Sequence, residues 1–145
     1  MHTPKQVTGK DNDLLTQIIL SSSAIINKQK KALESFDLSL QQFQILKALK
    51  SLKGKPASIN NLGEYMFDKM SNTSRLVDKL KAKNYVKRAH AQADRRKVEV
   101  VLTKQGKAVL QKAERAVNRL EKNILKELSS RDQSGLSKIL SKLKM

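Results

Sequence analysis

The stretch "MSNTSRLVDKLKAKNYVKR", Met70–Arg88, decides the fold, because its hydrophobic period changes from 3.6 to 2 within one run. Apolar residues three and four positions apart first predict an amphipathic helix over 72–83, with Ser71 as its N-cap. Asn84 follows where a left-handed residue usually closes a helix, a conformation that Asn tolerates well. The predicted buried side of the helix consists of Thr73, Leu76, Val77 and Leu80.

A β-hairpin is predicted directly after this helix. Alternating apolar positions indicate two strands, 85–90 and 98–102, joined by a loop over 91–97. The loop is longer than a tight two-residue turn. Its last positions are, in order, Asp94, Arg95, Arg96 and Lys97.

Helical spacing continues upstream of this unit. Apolar positions predict a long first helix over 14–36. Ser39 is the predicted N-cap of a second helix, with Gln42 completing a capping box, and Ser58 is the predicted cap of a short helix over 59–66.

Two further helices are predicted downstream. Thr103 caps a long one, whose apolar stripe runs from 109 to 128, and Ser130 with Gln133 predicts a capping box for the last. The order is therefore four helices, a hairpin and two helices. A length of 145 residues indicates one domain, 1–145.

The charge of the chain points to a polyanionic partner. Lys and Arg number 30 against 13 Asp and Glu, a formal net charge of +17. Residues 69–107 alone hold 12 basic and 3 acidic side chains, a net of +9, so the helix and hairpin are the predicted binding surface. Nucleic acid is the usual partner of such a protein, and an anionic membrane surface is less common.

Composition also excludes several classes of function. The chain has no Cys and only two His, so disulfides, thiol redox sensing and a His/Cys metal cluster within one chain are ruled out. No nucleophile elbow, glycine-rich phosphate loop or supported carboxylate pair is present, so we expect no enzyme activity, catalytic residue or cofactor. No apolar run approaches the roughly 20 residues of a membrane span, and we expect a soluble, cytoplasmic protein.

Two short helices, a basic amphipathic helix and a hairpin with a basic tip form the layout of a winged helix-turn-helix. A helix fits the major groove of DNA and can present polar side chains to base edges. A hairpin tip can reach the adjacent minor groove, whose negative potential favours Arg. The predicted fold class is therefore mainly α with a small β-hairpin wing, flanked by long N- and C-terminal helices.

The same residues resemble the MarR family of bacterial transcription regulators. The matching motifs are S-R-L-V-D-K-L in the recognition helix, Y-V-K-R in the first wing strand, D-R-R in the wing and L-T-x-x-G at the start of the next helix. "LSLQQFQILKAL" also resembles the second helix of the family. The resemblance covers 38–106, and one departure is Asn84, where the family usually has Gly.

The resemblance implies a sequence-specific regulator, most often a repressor in this family, that binds double-stranded DNA as an obligate homodimer. The lobe 38–106 would bind DNA, and the segments 13–36 and 107–144 would form the dimerisation helices. A two-fold dimer predicts a pseudo-palindromic operator with half-sites roughly 10 bp apart. Family members often carry a pocket between these two parts for a small-molecule effector, and the sequence identifies no effector-binding residue.

The predicted DNA contacts fall into two groups. On the recognition helix they are Asn72, Ser74, Arg75 and Lys79, and on the wing they are Lys87, Arg95, Arg96 and Lys97. In the family, the wing Arg that enters the minor groove matches Arg96. Asp78 is expected to orient Arg75 or a neighbouring base, because phosphates repel a carboxylate.

Asp94 is the acid that stands against the basic tip of the wing. A carboxylate there can orient Arg96, or it can pair with Arg88 across the hairpin, and either pairing would fix the geometry of the loop. Two rival functions stay open beside the specific regulator. One is a non-specific architectural protein that binds DNA or RNA, supported by the charge alone, and the other is association with a membrane surface, which the lack of Trp disfavours.

Overall fold

A computed structural model describes residues 13–89 and 98–144. The elements are, in order, α1 Leu14–Leu33, a 3-10 turn Glu34–Phe36, α2 Leu40–Ser51, β1 Ala57–Ser58, α3 Ile59–Glu64, α4 Thr73–Ala82, β2 Val86–Arg88, β3 Glu99–Leu102, α5 Lys104–Leu125 and α6 Ser130–Ser141. The predicted fold class, mainly α with a small wing, is confirmed. Within this described part of the chain, no helix combines the length and apolar character that crossing a membrane requires.

Three predicted helix starts are confirmed by their hydrogen bonds. Ser39 and Gln42 form the full capping box of α2, with each side chain accepting from the other's backbone N–H. Ser58 caps α3 by accepting from the Asn61 N–H, and Thr103 caps α5. These caps were predictable because a hydroxyl followed by a suitable third residue satisfies free N–H groups locally.

The recognition helix α4 begins later than predicted, with Asn72 rather than Ser71 as its N-cap. The cause lies upstream, where Asp68 forms a turn. Its carboxylate accepts from the Met70 N–H at 2.9 Å, and its carbonyl accepts from the Ser71 N–H at 3.1 Å. Because Ser71 belongs to this turn, the first helical residue is Thr73.

The last helix also starts differently from the prediction. Ser129 and Asp132 form the capping box of α6, in place of Ser130 and Gln133. A carboxylate in the first turn also interacts favourably with the positive end of the helix dipole, which an amide does not. Gln133 instead donates to the Leu128 carbonyl at 3.1 Å.

The first helix ends at Leu33, three residues before Phe36, the end predicted from the sequence. After α1 the chain tightens into the 3-10 turn, and Asp37 then adopts a left-handed conformation with φ of 51°. This joint redirects the chain into α2. Asn84 is left-handed as predicted, with φ of 66°, and redirects the chain from α4 into the wing.

The wing is a three-stranded antiparallel sheet in the order β1-β3-β2. β2 pairs with β3 through Val86 opposite Leu102, and β1 pairs with β3 through Ala57 opposite Val100. The sequence did not predict β1, because two residues are too few to show a period of 2. Val98, Val100 and Leu102 face the core or its edge, as the alternation predicted.

The core is built from α2, α3, α4, the sheet and the first half of α5. Its largest fully buried side chains are Leu33, Ile45, Leu46, Leu62, Leu80, Leu110, Val77, Val86 and Val100. α1 contributes only Leu33, and α6 contributes no buried residue. Large apolar side chains remain exposed on both helices, including Ile19 on α1 at 61% and Ile139 on α6 at 61%.

Gly106 allows α5 to pass against the start of the wing. A Cβ at this position would overlap the Tyr85 carbonyl oxygen. That oxygen accepts from the Thr103 N–H at 3.0 Å, and the Thr103 hydroxyl donates to the Asn84 carbonyl at 2.6 Å and accepts from the Gly106 N–H at 2.9 Å. The motif L-T-x-x-G therefore joins the recognition helix, the wing and α5 at one point.

Gly106→Ala is expected to lower the free energy of unfolding by about 3 kcal/mol, because the added methyl must displace backbone rather than a flexible side chain. Gly135→Ala is the matched control. No atom lies within 4 Å of a Cβ there, and replacing Gly inside α6 should stabilise by about 0.5–1 kcal/mol. Urea unfolding at one protein concentration measures both variants. Equal stability of the two would show that the Gly106 contact does not constrain the joint.

Candidate nucleic-acid interface

The predicted contact residues of α4 lie together on its exposed side. Thr73, Val77 and Leu80 are buried against the core, which fixes the rotation of the helix. The side chains left in solvent include Asn72, Ser74, Arg75 and Lys79. The helix thus presents two hydrogen-bonding side chains near its N-terminus and two cations along one side. This is the chemistry required to reach base edges and phosphates.

Asn72 has a structural role that the sequence did not reveal. Its side-chain oxygen accepts from the Arg75 N–H at 3.1 Å as the N-cap of α4. This bond uses one of the two lone pairs of the oxygen and leaves the amide NH₂ of Asn72 free to donate to a ligand. Asn72 can therefore donate to an acceptor on a base or phosphate while still capping the helix.

Asp78 does not form the expected pair with Arg75. The ion pairs of the described residues are Lys50 with Glu114 and Lys83 with Asp37. Both Asp78 and Arg75 are exposed, where an ion pair gains little and must order two side chains. The guanidinium of Arg75 is consequently not engaged by Asp78.

A shallow groove beside α4 adds residues that the sequence did not predict as part of the surface. It is lined by the N-terminal residues of α2, Ser39, Gln41 and Gln42, together with Asn72, Arg75 and Lys79 of α4. Asp68 also lines the groove, so an acid stands there beside the cations Arg75 and Lys79. The only sequence signal for this groove is the capping box that begins α2.

The wing is described only at its base. Lys87 and Arg88 are exposed on the edge strand β2, as a strand facing phosphate would require. Asp94, Arg95, Arg96 and Lys97 lie outside the described residues. Their roles, and the pairing of Asp94 with Arg96 or Arg88, stay predictions.

A second concave surface, the basic cleft, lies between the end of α2, the wing sheet and the start of α5. It has a volume of about 620 Å³, and its apolar residues are Leu49, Val101, Leu102 and Leu110. Its cationic residues are Lys50, Lys53, Lys55, Lys87 and Lys107. Lys50 is neutralised by Glu114 at 2.7 Å. The sequence did not predict this cleft, because its lysines come from four separate segments.

Comparison with known proteins agrees with this architecture. A sequence model described as the MarR family matches residues 36–97. The HTH-type transcriptional regulator SarZ of Staphylococcus aureus is 33% identical over 90 residues, which is 62% of this chain and 60% of SarZ. The chain thus spans less than two thirds of the length of that relative.

Solved structures match over nearly the whole chain. The transcriptional regulator BldR from Sulfolobus solfataricus is 32% identical, with 90% of this chain and 94% of BldR covered at a TM-score of 0.73. A mutant of MarR from E. coli in complex with operator DNA is 21% identical, with 93% and 98% covered at a TM-score of 0.77, and shows the shared fold. The chain belongs to the MarR family of winged helix-turn-helix proteins.

Replacing the true cap of α4 should destabilise the protein more than replacing its neighbour. Asn72→Ala is expected to cost about 1 kcal/mol, because the Arg75 N–H loses its acceptor. Ser71→Ala, one position earlier, should cost no more than about 0.5 kcal/mol. Thermal or urea unfolding of the two variants compares them directly. A larger loss of stability in Ser71→Ala than in Asn72→Ala would show that Ser71 is the N-cap of α4.

Proposed function

We propose that this protein is a homodimeric, sequence-specific regulator of transcription that represses by occupying a pseudo-palindromic operator. The observation that carries the proposal is the exposed side of α4, where Asn72, Ser74, Arg75 and Lys79 stand beside a wing with cationic residues at its base. Membership of the MarR family and the structural similarity to a protein solved with operator DNA support it. The named relatives are transcriptional regulators, which agrees with the expectation that the chain is not an enzyme.

The dimer is proposed from the unburied apolar sides of α1 and α6. Exposed large apolar residues on these helices are Leu14, Leu15, Ile19, Leu20, Ile25, Ile26, Leu136, Ile139 and Leu140. Large exposed apolar side chains grouped along a helix indicate an interface. A second copy packed there by two-fold symmetry would bury both sides and present two α4 helices to successive major grooves, roughly 10 bp apart.

Release by a small-molecule effector is the regulatory part of the proposal, and the basic cleft is its candidate site. An apolar floor lies under four lysines that form no ion pair with any carboxylate among residues 13–89 and 98–144, and this suits a ligand with an apolar body and one anionic group. Such a ligand would release DNA only by binding the DNA-incompetent arrangement more tightly. Lys87 of the wing and Lys107 of α5 line the cleft. A ligand bound there would therefore contact both elements, whose relative arrangement would differ between the DNA-competent and DNA-incompetent states.

Binding to a palindrome selected from a random DNA library tests the main proposal. At fixed salt, the selected site is expected to bind roughly 10³-fold more tightly than random duplex of the same length. Arg96→Ala should weaken binding to the site strongly without changing the dimer, and Lys79→Ala should lower the slope of log affinity against log salt by about 0.9. A selected-to-random ratio near one would favour the architectural alternative, which the +17 charge alone supports.

Naphthoate and its neutral analogue naphthamide test the effector site. Naphthoate is expected to weaken operator binding about tenfold at saturation, while naphthamide has no effect, because only the carboxylate meets the lysines. Lys107→Gln should reduce the response to naphthoate and leave operator binding without ligand unchanged. Equal responses to the two compounds, or the same response in Lys107→Gln, would exclude the basic cleft.

A further inference from the structure

Lys83, the residue that ends the recognition helix α4, reaches across to the joint between α1 and α2. Its Nζ donates to the backbone carbonyl of Asp37 in a short hydrogen bond and to Gln42 Oε1 at 3.3 Å. The Asp37 carboxylate lies 3.4 Å from the same nitrogen. An ammonium group has three donors, and these three acceptors can satisfy all of them.

The joint that Lys83 reaches is itself held by a hydrogen-bond network. Gln42 Oε1 also accepts from the Ser39 N–H at 3.1 Å, while the Ser39 hydroxyl accepts from the Gln42 N–H at 3.0 Å. One amide oxygen therefore takes part both in the capping box of α2 and in the contact with α4. Asp37 occupies the left-handed turn at which α1 gives way to α2.

Lys79 provides an internal comparison, because it lies one turn before Lys83 on the same side of α4. Lys79 is exposed and forms no ion pair within the described part of the chain, as a phosphate contact requires. The Lys83 side chain is only 27% exposed, and its donors are directed to protein acceptors. Two lysines of one helix therefore have different chemistry, one available to DNA and one committed to the fold.

The hydrogen bonds to Asp37 and Gln42, rather than the ion pair, are expected to provide most of the constraint. The Asp37 side chain is 93% exposed, so solvent screens its attraction for Lys83. The Asp37 backbone carbonyl and the Gln42 amide, in contrast, belong to ordered parts of the chain, since Gln42 is buried. Losing these two acceptors would free the end of α4 relative to the end of α1.

We propose that Lys83 is a positioning residue that sets the angle between the recognition helix and the first helix. This rests on the proposed dimeric regulator, in which α1 helps to join the two copies. In that dimer, fixing α4 against the end of α1 in each copy fixes the distance between the two recognition helices. Lys83 thereby makes binding depend on the spacing of the operator half-sites, without itself touching DNA.

Affinity for operators of altered spacing tests this role. The selected palindrome and versions with one base pair added or removed at its centre are titrated with the full chain and with Lys83→Met. Lys83→Met is expected to bind the operator of selected spacing with about tenfold lower affinity and to lose much less affinity for the operators of altered spacing. The preference for one spacing therefore becomes smaller. Its salt slope should stay that of the unaltered protein, because no phosphate contact is removed.

Three further variants separate positioning from other roles. Lys79→Met should weaken binding equally at every spacing and lower the salt slope by about 0.9. Lys83→Arg keeps the charge and the donors and should retain the spacing preference. Asp37→Asn keeps the backbone acceptor and should have a small effect. If Lys83→Met lowers the thermal midpoint, Lys83→Gln, which retains an amide donor, takes its place in the same titrations.

The outcomes are distinct. A lower salt slope with an unchanged spacing preference in Lys83→Met would make Lys83 a phosphate contact and overturn the proposal. An unchanged preference and slope would show that the contact with the joint does not position α4, and would overturn it as well. If the unaltered protein itself does not prefer the palindrome over random duplex, the proposed function is wrong. That result is distinguishable from the two outcomes above, which concern only Lys83→Met.

Discussion

The close passage of α5 over the start of the wing is the constraint on which the rest of the structure depends. Without a side chain at Gly106, the backbone of α5 reaches the Tyr85 carbonyl, and Thr103 ties the same point to Asn84. The end of α4, the start of the wing and the start of α5 thus share one junction. A displacement of α5 would therefore act directly on the end of α4 and the start of β2.

Much of the fold was predictable from the sequence, because the decisive signals are local. The capping box of Ser39 and Gln42, the Thr103 cap and the left-handed Asn84 each depend on residues within a few positions. The errors arose where one local signal displaced another and where a distant segment was needed. Asp68 organised a turn that delayed α4 to Thr73, and β1 exists only because β3 lies beside it.

The candidate site was predictable in part. The residues on the exposed side of α4 could be predicted from its helical period, because burial of the apolar side leaves the polar side in solvent. The roles of individual residues did not follow. Asn72 differs from its neighbours by capping the helix, and Lys83 differs from Lys79 by reaching an acceptor 46 residues away in the chain. Net charge cannot distinguish such cases, because it counts every lysine alike.

The lack of buried residues in α6 has a thermodynamic consequence. A helix of 12 residues is marginal in water by itself, and α6 draws no burial from its own chain. In the proposed dimer, contacts with the second copy would supply the missing burial, so folding and association would be linked by mass action. The midpoint of thermal unfolding would rise with protein concentration, and the cell's supply of the protein would set how much of it is fully folded.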